Sequence, residues 1–350
     1  ELFRFRPDCL FLLNGPSAST LQYLGFSAGM ETGIPSRRLT WYVDDPNYLA
    51  TREGNWACYQ KDDVAVADRT YVTAFSRPQP RSLFHLPPAA MLESKGRFDP
   101  DLHFPILYVG SIMNLQETLS HLPMAVQTLI QDIVRAREAK KEVSFLAWMH
   151  EMNPHAQKQK ELAEIAQRIV QERTAKRFPH PEQYVDYFFY LVATFYKRWN
   201  VVKTLLPLGL HVFGPNDWIP LLGDAYRDRH HGILDASELA DAYASAKINI
   251  NLHSLQCPTS LNIRDFDIPR AGGFLLTDWV EDLEGGYVNH KEHVCAVANC
   301  EEFAAQADYY LAHENERGEI AQTGCDWVAN HHTFRHRAQA VLHRLQGGLA

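Results

Sequence analysis

The stretch from Ser245 to Asp278, SAKININLHSLQCPTSLNIRDFDIPRAGGFLLTD, constrains the fold more than any other part of the chain. It reads as strand, loop, short helix, strand. KININLHS alternates and is rich in β-branched residues, which predicts a strand. PTSLNIRDFDIPRAGG packs charge, proline and glycine into a short space. GFLLTD is a second apolar run that ends on a carboxylate. A charged segment between two buried parallel strands lies at their carboxyl ends, where open α/β sheets bind ligands.

The rest of the chain keeps the same rhythm, which predicts an α/β class with parallel sheets. LFLLN (residues 10–14) stops at Gly15-Pro16-Ser17, and Ser19 to Thr32 reads as a helix. LTWYV predicts a second core strand, with Asp44, Asp45 and Pro46 at its carboxyl end. Adjacent carboxylates there suit acid–base work or substrate contact. The alternative is that Asp45 caps the turn before Pro46. ACYQKDDVAVADRTYVTAF reads as strand, turn, strand. His85 and Pro87-Pro88 then make a stiff, extended exit from a further strand. Residues 93–104 are polar, with Gly and Pro, and form the best linker candidate. PILYVGSIM opens a second strand set and ends on Gly110-Ser111, a weak phosphate signal by itself.

From about Leu115 to Leu206 the pattern is helical, with apolar residues at i, i+3, i+4 and i+7. The aromatic run from Tyr187 to Tyr196 reads as core. LHVFGPNDW predicts a strand ending at Gly214. Asp235 or Ser237 caps the helix that precedes the Lys247 to Leu252 strand, and HVCAV leads into two or three terminal helices. The domains expected are 1–104 and 105–350, the second carrying the helical insertion at about 115–206.

Composition narrows the function classes. The chain has 350 residues, 46% of them apolar, enough for two packed domains. A net charge of −8 without a basic block disfavours a nucleic-acid backbone as partner. Six dispersed cysteines, with no CxxC pair, suit a reducing compartment. No apolar run reaches the length of a membrane span and no signal-like segment opens the sequence, so a cytoplasmic location is expected. The sequence does not open on Met, and a strand about nine residues in reads as a start in mid-domain. The adjacent histidines His230-His231 and His331-His332 lack a third ligand at a recognised spacing, so no metal site is expected.

Several segments, in order, resemble the CgeB-like (spore maturation protein-like) glycosyltransferases. They are RPDCLFLLN, LTWYVDDPNYL, HLPPAA, ILYVGS, HGILDASELADAYASAKININLH, SLNIRDFDIPRAGGFLLTD and HHTFRHRA. The opening strands that such proteins carry before the first of these are missing. The resemblance implies a GT-B fold: two Rossmann-like domains facing across a cleft, donor on the C-terminal side and acceptor on the N-terminal side. It implies a nucleotide-sugar donor (UDP the first guess), no bound metal and no separate cofactor. Asp265-Phe266-Asp267 spells a DxD motif, which in another glycosyltransferase class holds a cation. The Gly272-Gly273 that follows fits a GT-B donor helix better.

Carried over residue by residue, Asp267 stands five before Gly272, where many GT-B sequences have a ribose-binding Glu. A carboxylate accepts from both hydroxyls of a diol. Thr259 stands where a retaining pattern has its first Glu. Arg264 becomes the diphosphate partner and the stabiliser of the leaving group, unless it only pairs with Asp265 or Asp267. Ser260, Leu261 and Asn262 would offer donors at the helix start. Gly110, Ser111, Gly214, Asn216 and His253 complete the donor-side set. Asp44 and Asp45 are the candidate bases, and with His85 they are the candidates facing from the N-terminal domain. The function expected is transfer of a sugar to a hydroxyl on a glycan, protein or cell-surface polymer. The alternatives are a GT-B nucleotide-sugar epimerase and a non-catalytic sugar-nucleotide-binding or assembly protein.

Overall fold

Short apolar, β-branched runs form the strands of the computed structural model, which describes residues 9–14, 37–46, 62–75, 79–92, 104–139, 156–174, 176–178 and 180–347. The chain divides into two units. One comprises Glu1–Pro87, Thr128–Tyr190 and Gln256–Ser260; the other comprises Pro88–Gln127, Leu191–Leu255 and Leu261–Ala350. The division differs from a single cut at 104/105. Residues 88–92 fold with the second unit, and most of the helical insertion folds with the first. The expected helix at Ser19 to Thr32, the ACYQK strand and all but the last residue of the 93–104 linker lie outside the described residues.

The first unit holds a four-stranded parallel sheet in sequential order: β1 (Cys9–Leu13), β2 (Arg37–Tyr42), β3 (Asp63–Val66) and β4 (Ser82–His85). β3 is buried on both faces, as the apolar run Val64-Ala65-Val66 after its ion-paired Asp63 requires. Tyr42, Val64, Val66 and Tyr71 pack as one cluster. Ion pairs join Arg37 to Asp63 (2.5 Å) and Arg38 to Asp62 (2.6 Å) where β2 and β3 begin.

Three long helices follow the period of their apolar residues: α2 (Met124–Ala139), α3 (Ala156–Thr174) and α4 (Pro181–Leu205), after a short α1 (Gln116–Ser120). The α4 aromatics Tyr184, Tyr187, Phe188, Phe189 and Phe195 are all buried. That stripe is core, as its spacing predicts.

The second unit holds a five-stranded parallel sheet: β5 (Phe104–Val109), β6 (Leu210–Phe213), β7 (Ala246–Asn251), β8 (Leu275–Asp278) and β9 (Cys295–Val297). The order is β6-β5-β7-β8-β9. α5 (Leu239–Ser245) precedes β7, and α6 (Arg264–Arg270) joins β7 to β8. α7 (Glu302–Ala312), α8 (Glu314–His331) and α9 (Phe334–Gly347) close the chain. Leu107, Phe266, Ile268, Leu275, Val294 and Val328 are among the core residues.

One cap differs from expectation. α5 starts at Leu239, with Glu238 at its N-cap rather than Asp235 or Ser237. Glu238 N–H bonds to the Asp235 carbonyl, and the Glu238 carboxylate accepts from Asp235 N–H at 2.9 Å. That closed turn holds Asp235 outside the helix. No helix among the described residues is long and apolar enough to cross a membrane.

Candidate functional site

The sheet order of the second unit fixes where a ligand fits. The chain runs from β5 to its neighbour β6 on one side, then returns to β7 on the other side of β5. Connections thus diverge between β5 and β7. In open α/β sheets the crevice at the carboxyl ends of such a pair is the ligand site. Here those ends carry Gly110-Ser111 and Leu252-His253. Consecutive α4 residues reach both: Lys197 Nζ donates to the His253 carbonyl at 3.0 Å, and Arg198 donates to the Ser111 carbonyl at 2.7 Å. Glycines just past β5 and β6 allow close approach. Gly110 N–H bonds to Phe213 carbonyl, Trp218 Nε1 bonds to Gly110 carbonyl, and a side chain on Gly214 would collide with that same carbonyl. Gly110 and Gly214 therefore shape the rim through packing. Ser111 and Asn216 are exposed beside them.

His253 is the centre of a buried polar network. It is 3% exposed, with Nε2 2.8 Å from Asp265 Oδ2 and Nδ1 3.2 Å from Asp278 Oδ1. Asp278 also accepts from His253 N–H (2.8 Å) and from Lys197 Nζ (2.7 Å). Asp265 accepts from Asn251 Nδ2 (2.8 Å) and Asn262 N–H (2.7 Å). Burial alone would lower the His253 pKa, but Asp265 and Asp278 outweigh it and raise it to about 9. Asp278 is lowered: burial works against its charge, and Lys197 and His253 overcome it. The His253 ring, expected among the donor contacts, is thus turned inward. Lys197, Asn251 and Asp278 belong to this network and were not assigned to the site from sequence. Their signal was a lysine in an apolar helix and asparagines in a strand buried on both faces.

The turn into α6 is braced in the manner of a capping box. Asn262 Oδ1 accepts from Arg264 N–H (2.8 Å), and Asp265 reaches back to Asn262 N–H. Asn262 Nδ2 bonds to Asn251 Oδ1 at 3.2 Å. Leu261 is core. At the other end Gly272, with φ of 84°, donates to the Pro269 carbonyl, and Gly273 donates to Ile268. This is a Schellman cap. A Cβ on Gly273 would meet Asn249 Nδ2 at 2.6 Å and the Tyr243 carbonyl at 2.8 Å. So the Gly-Gly pair ends the helix and lets it pack on β7.

The two carboxylates of Asp-Phe-Asp part company. Asp265 serves His253, while Asp267, 6% exposed, accepts from Met91 N–H (2.7 Å) and Leu92 N–H (3.0 Å) through Oδ1. Burial raises the Asp267 pKa against those bonds and the charge of Arg264. The same segment is held by Arg337, which donates to the Pro88 carbonyl, and by the His332 carbonyl, which accepts from Ala90 N–H. Arg264 is half-buried, and its charge lies near Tyr243, whose pKa burial raises to about 12. Among the described residues no group of three His, Cys, Asp or Glu side chains is placed to hold a metal ion.

In the first unit, Asp44 is exposed at the end of β2 and accepts from Asn14 Nδ2 at 2.8 Å. Asn14 Oδ1 accepts from Val43 N–H and Asp44 N–H. Asp45 is half-buried, and His85 Nε2 lies 2.9 Å from the Ala67 carbonyl. Asp68 is fully buried and gathers Thr259 N–H, Thr259 Oγ1 and Ser260 N–H, each at 2.9 Å, besides Thr70. The Ser260 amide expected to serve a ligand is thus taken by a carboxylate of the same unit. Asp-Arg-Thr after an apolar strand is the Asx-turn signal that marks Asp68.

Residues 197–343 match the family profile described as "Glycosyl transferase-like". Sucrose-phosphate synthase from Thermosynechococcus elongatus shares the fold at a TM-score of 0.51 and 10% identity, covering 100% of this chain and 76% of that one. A mutant of S. aureus TarM, in complex with fondaparinux, alpha-GlcNAc-glycerol and UDP, does so at 0.51 and 8%, covering 99% and 57%. The fold is that of the GT-B glycosyltransferases. This chain spans little more than half the length of TarM. No curated protein is significantly similar to it in sequence.

Proposed function

We propose that the chain is a glycosyltransferase that takes a sugar from a nucleotide-sugar donor and passes it to a hydroxyl acceptor. The observation that carries this reading is the β5/β7 switch point. The glycosyl transferase-like match at 197–343 includes the carboxyl-end loop of β7, together with Arg198, His253 and Arg264. Arg264 would offset the diphosphate charge as it leaves, in a role of several kcal/mol. Ser111, Asn216 and Arg198 would add contacts to the donor. The reading needs no resident metal or cofactor. Should the reaction invert, Asp44 or Asp45 is the candidate base. The CgeB-like group is the family proposed, and UDP is the first donor nucleotide to try. Acceptors would be a glycan, protein or cell-surface polymer.

Titration calorimetry with UDP, GDP and dTDP tests this. We expect one to bind, and Arg264→Ala to weaken it by about tenfold or more. No binding by any of the three overturns the reading. Incubation with the nucleotide-sugar alone is the control, since an epimerised sugar would replace transfer with epimerisation.

A further inference from the structure

His253, Asp265, Asp278 and Lys197 form a closed set of charges under the rim of the proposed donor site. The faces packed on the ring supply Lys197 from α4, Asp278 and Thr277 from β8, and Asp265 from α6. Each ring nitrogen faces a carboxylate oxygen, so a neutral imidazole would turn a lone pair on an anion. Both oxygens of each carboxylate already accept hydrogen bonds, which favours keeping the proton on the ring. Asp265 accepts from Asn251 on one oxygen and from Asn262 N–H on the other. Asp278 accepts from His253 N–H on one and from Lys197 on the other. Two cations and two anions then balance, the condition under which buried charge is tolerated. The ring ties the ends of β7 and β8 to α6 through its two nitrogens, beside the Asn251–Asp265 bond. From Asp265 the chain of bonds continues through Asn262 to Arg264 N–H.

We propose that His253 is a positioning residue: as an imidazolium clamped between Asp265 and Asp278, it holds the turn that carries Asn262 and Arg264 in donor-binding geometry. The proposal rests on the donor site above. It implies that removing the second ring proton at alkaline pH loosens that turn. The ring makes no contact with substrate in this account and takes no part in proton transfer.

Nitrogen-15 NMR of the full chain reads the ring directly. Both ring nitrogens are expected to be protonated at about pH 7.5, with the second proton lost near pH 9. A neutral tautomer at that lower pH overturns the proposal. UDP titrations across the same range read the coupling. The uracil ring itself ionises in alkali, so the comparison with Asp265→Asn is decisive. That variant keeps the side-chain shape and removes one of the two anions that hold the proton. Its affinity should fall at lower pH than the wild type, and His253→Gln should bind UDP about tenfold more weakly throughout. Should His253→Gln not fold, the Asp265→Asn profile stands alone. Variants that bind like wild type with an unmoved pH profile overturn positioning and leave the donor site intact. A wild type that binds none of UDP, GDP and dTDP instead removes the donor site itself.

Discussion

Gly272 and Gly273 are adjacent in sequence but do different work. Gly272 is in the left-handed region with open space where a Cβ would go, so Gly272→Ala meets only backbone strain. That costs about 1 kcal/mol. Gly273 has ordinary φ but backs onto Asn249 and the Tyr243 carbonyl. Gly273→Ala must displace a buried amide that is bonded to Tyr243 and Phe274 carbonyls, at roughly 2–4 kcal/mol. Urea unfolding should rank Gly273→Ala as the more damaging. The reverse order would show that this packing is not what the second glycine serves. At this scale the sequence marked the right stretch, because Arg264, Asp267 and the glycine pair stand out by composition. It did not mark their partners. Asp267 meets amides at 91 and 92, and Asp68 meets amides at 259 and 260, across separations that leave no local pattern.

Among elements, the informative one is the extended segment from Pro88 to Leu92. An irregular strand exit must place its backbone groups somewhere. Here the Pro88 carbonyl goes to Arg337, Ala90 N–H to the His332 carbonyl, and two further amides to Asp267. HLPPAA, RDFDIPRAGG and HHTFRHRA, three segments of the family resemblance, thus meet in one clasp. Asp267→Ala leaves two amides unpaired, at about 1–3 kcal/mol each. Asp267→Asn keeps an acceptor oxygen in place and should cost less than about 1 kcal/mol. A ribose role makes a different demand: Asp267→Asn would then weaken UDP with stability unchanged. Denaturant unfolding and UDP titration of both variants separate the two roles. The strands and long helices were legible because apolar period survives in sequence. The cap of α5 was not, since Asp235, Ser237 and Glu238 fall within one turn and the local pattern does not rank them.

Across the whole molecule, buried titratable groups set how stability responds to pH. His332 is lowered to about 4, by burial first and then by Arg337 and neighbouring histidines. The folded chain keeps it neutral, so its contribution is lost as pH falls from the ordinary histidine value of about 6.5 toward 4. Asp278, lowered, removes stability further into acid as it protonates. His253 has the opposite sign. Raised to about 9, it stabilises fully below about pH 6.5 and loses that contribution as pH rises to 9. The two arms meet near the ordinary histidine pKa, so stability should peak at about pH 6.5 and fall on both sides. Cys257 at about 12 and Cys295 at about 11, both raised by burial, add a further alkaline loss only above the ordinary thiol range. The fall between about 6.5 and 9 therefore belongs to His253 and should amount to a few kcal/mol. Urea unfolding at stepped pH measures it. His253→Gln should flatten the curve from pH 6.5 to 9 and leave the His332 part of the acid arm as it was, while the Asp278 part shifts because His253 helps to keep that carboxylate ionised. A wild-type curve already flat in that window would mean that the ring is neutral in the folded chain.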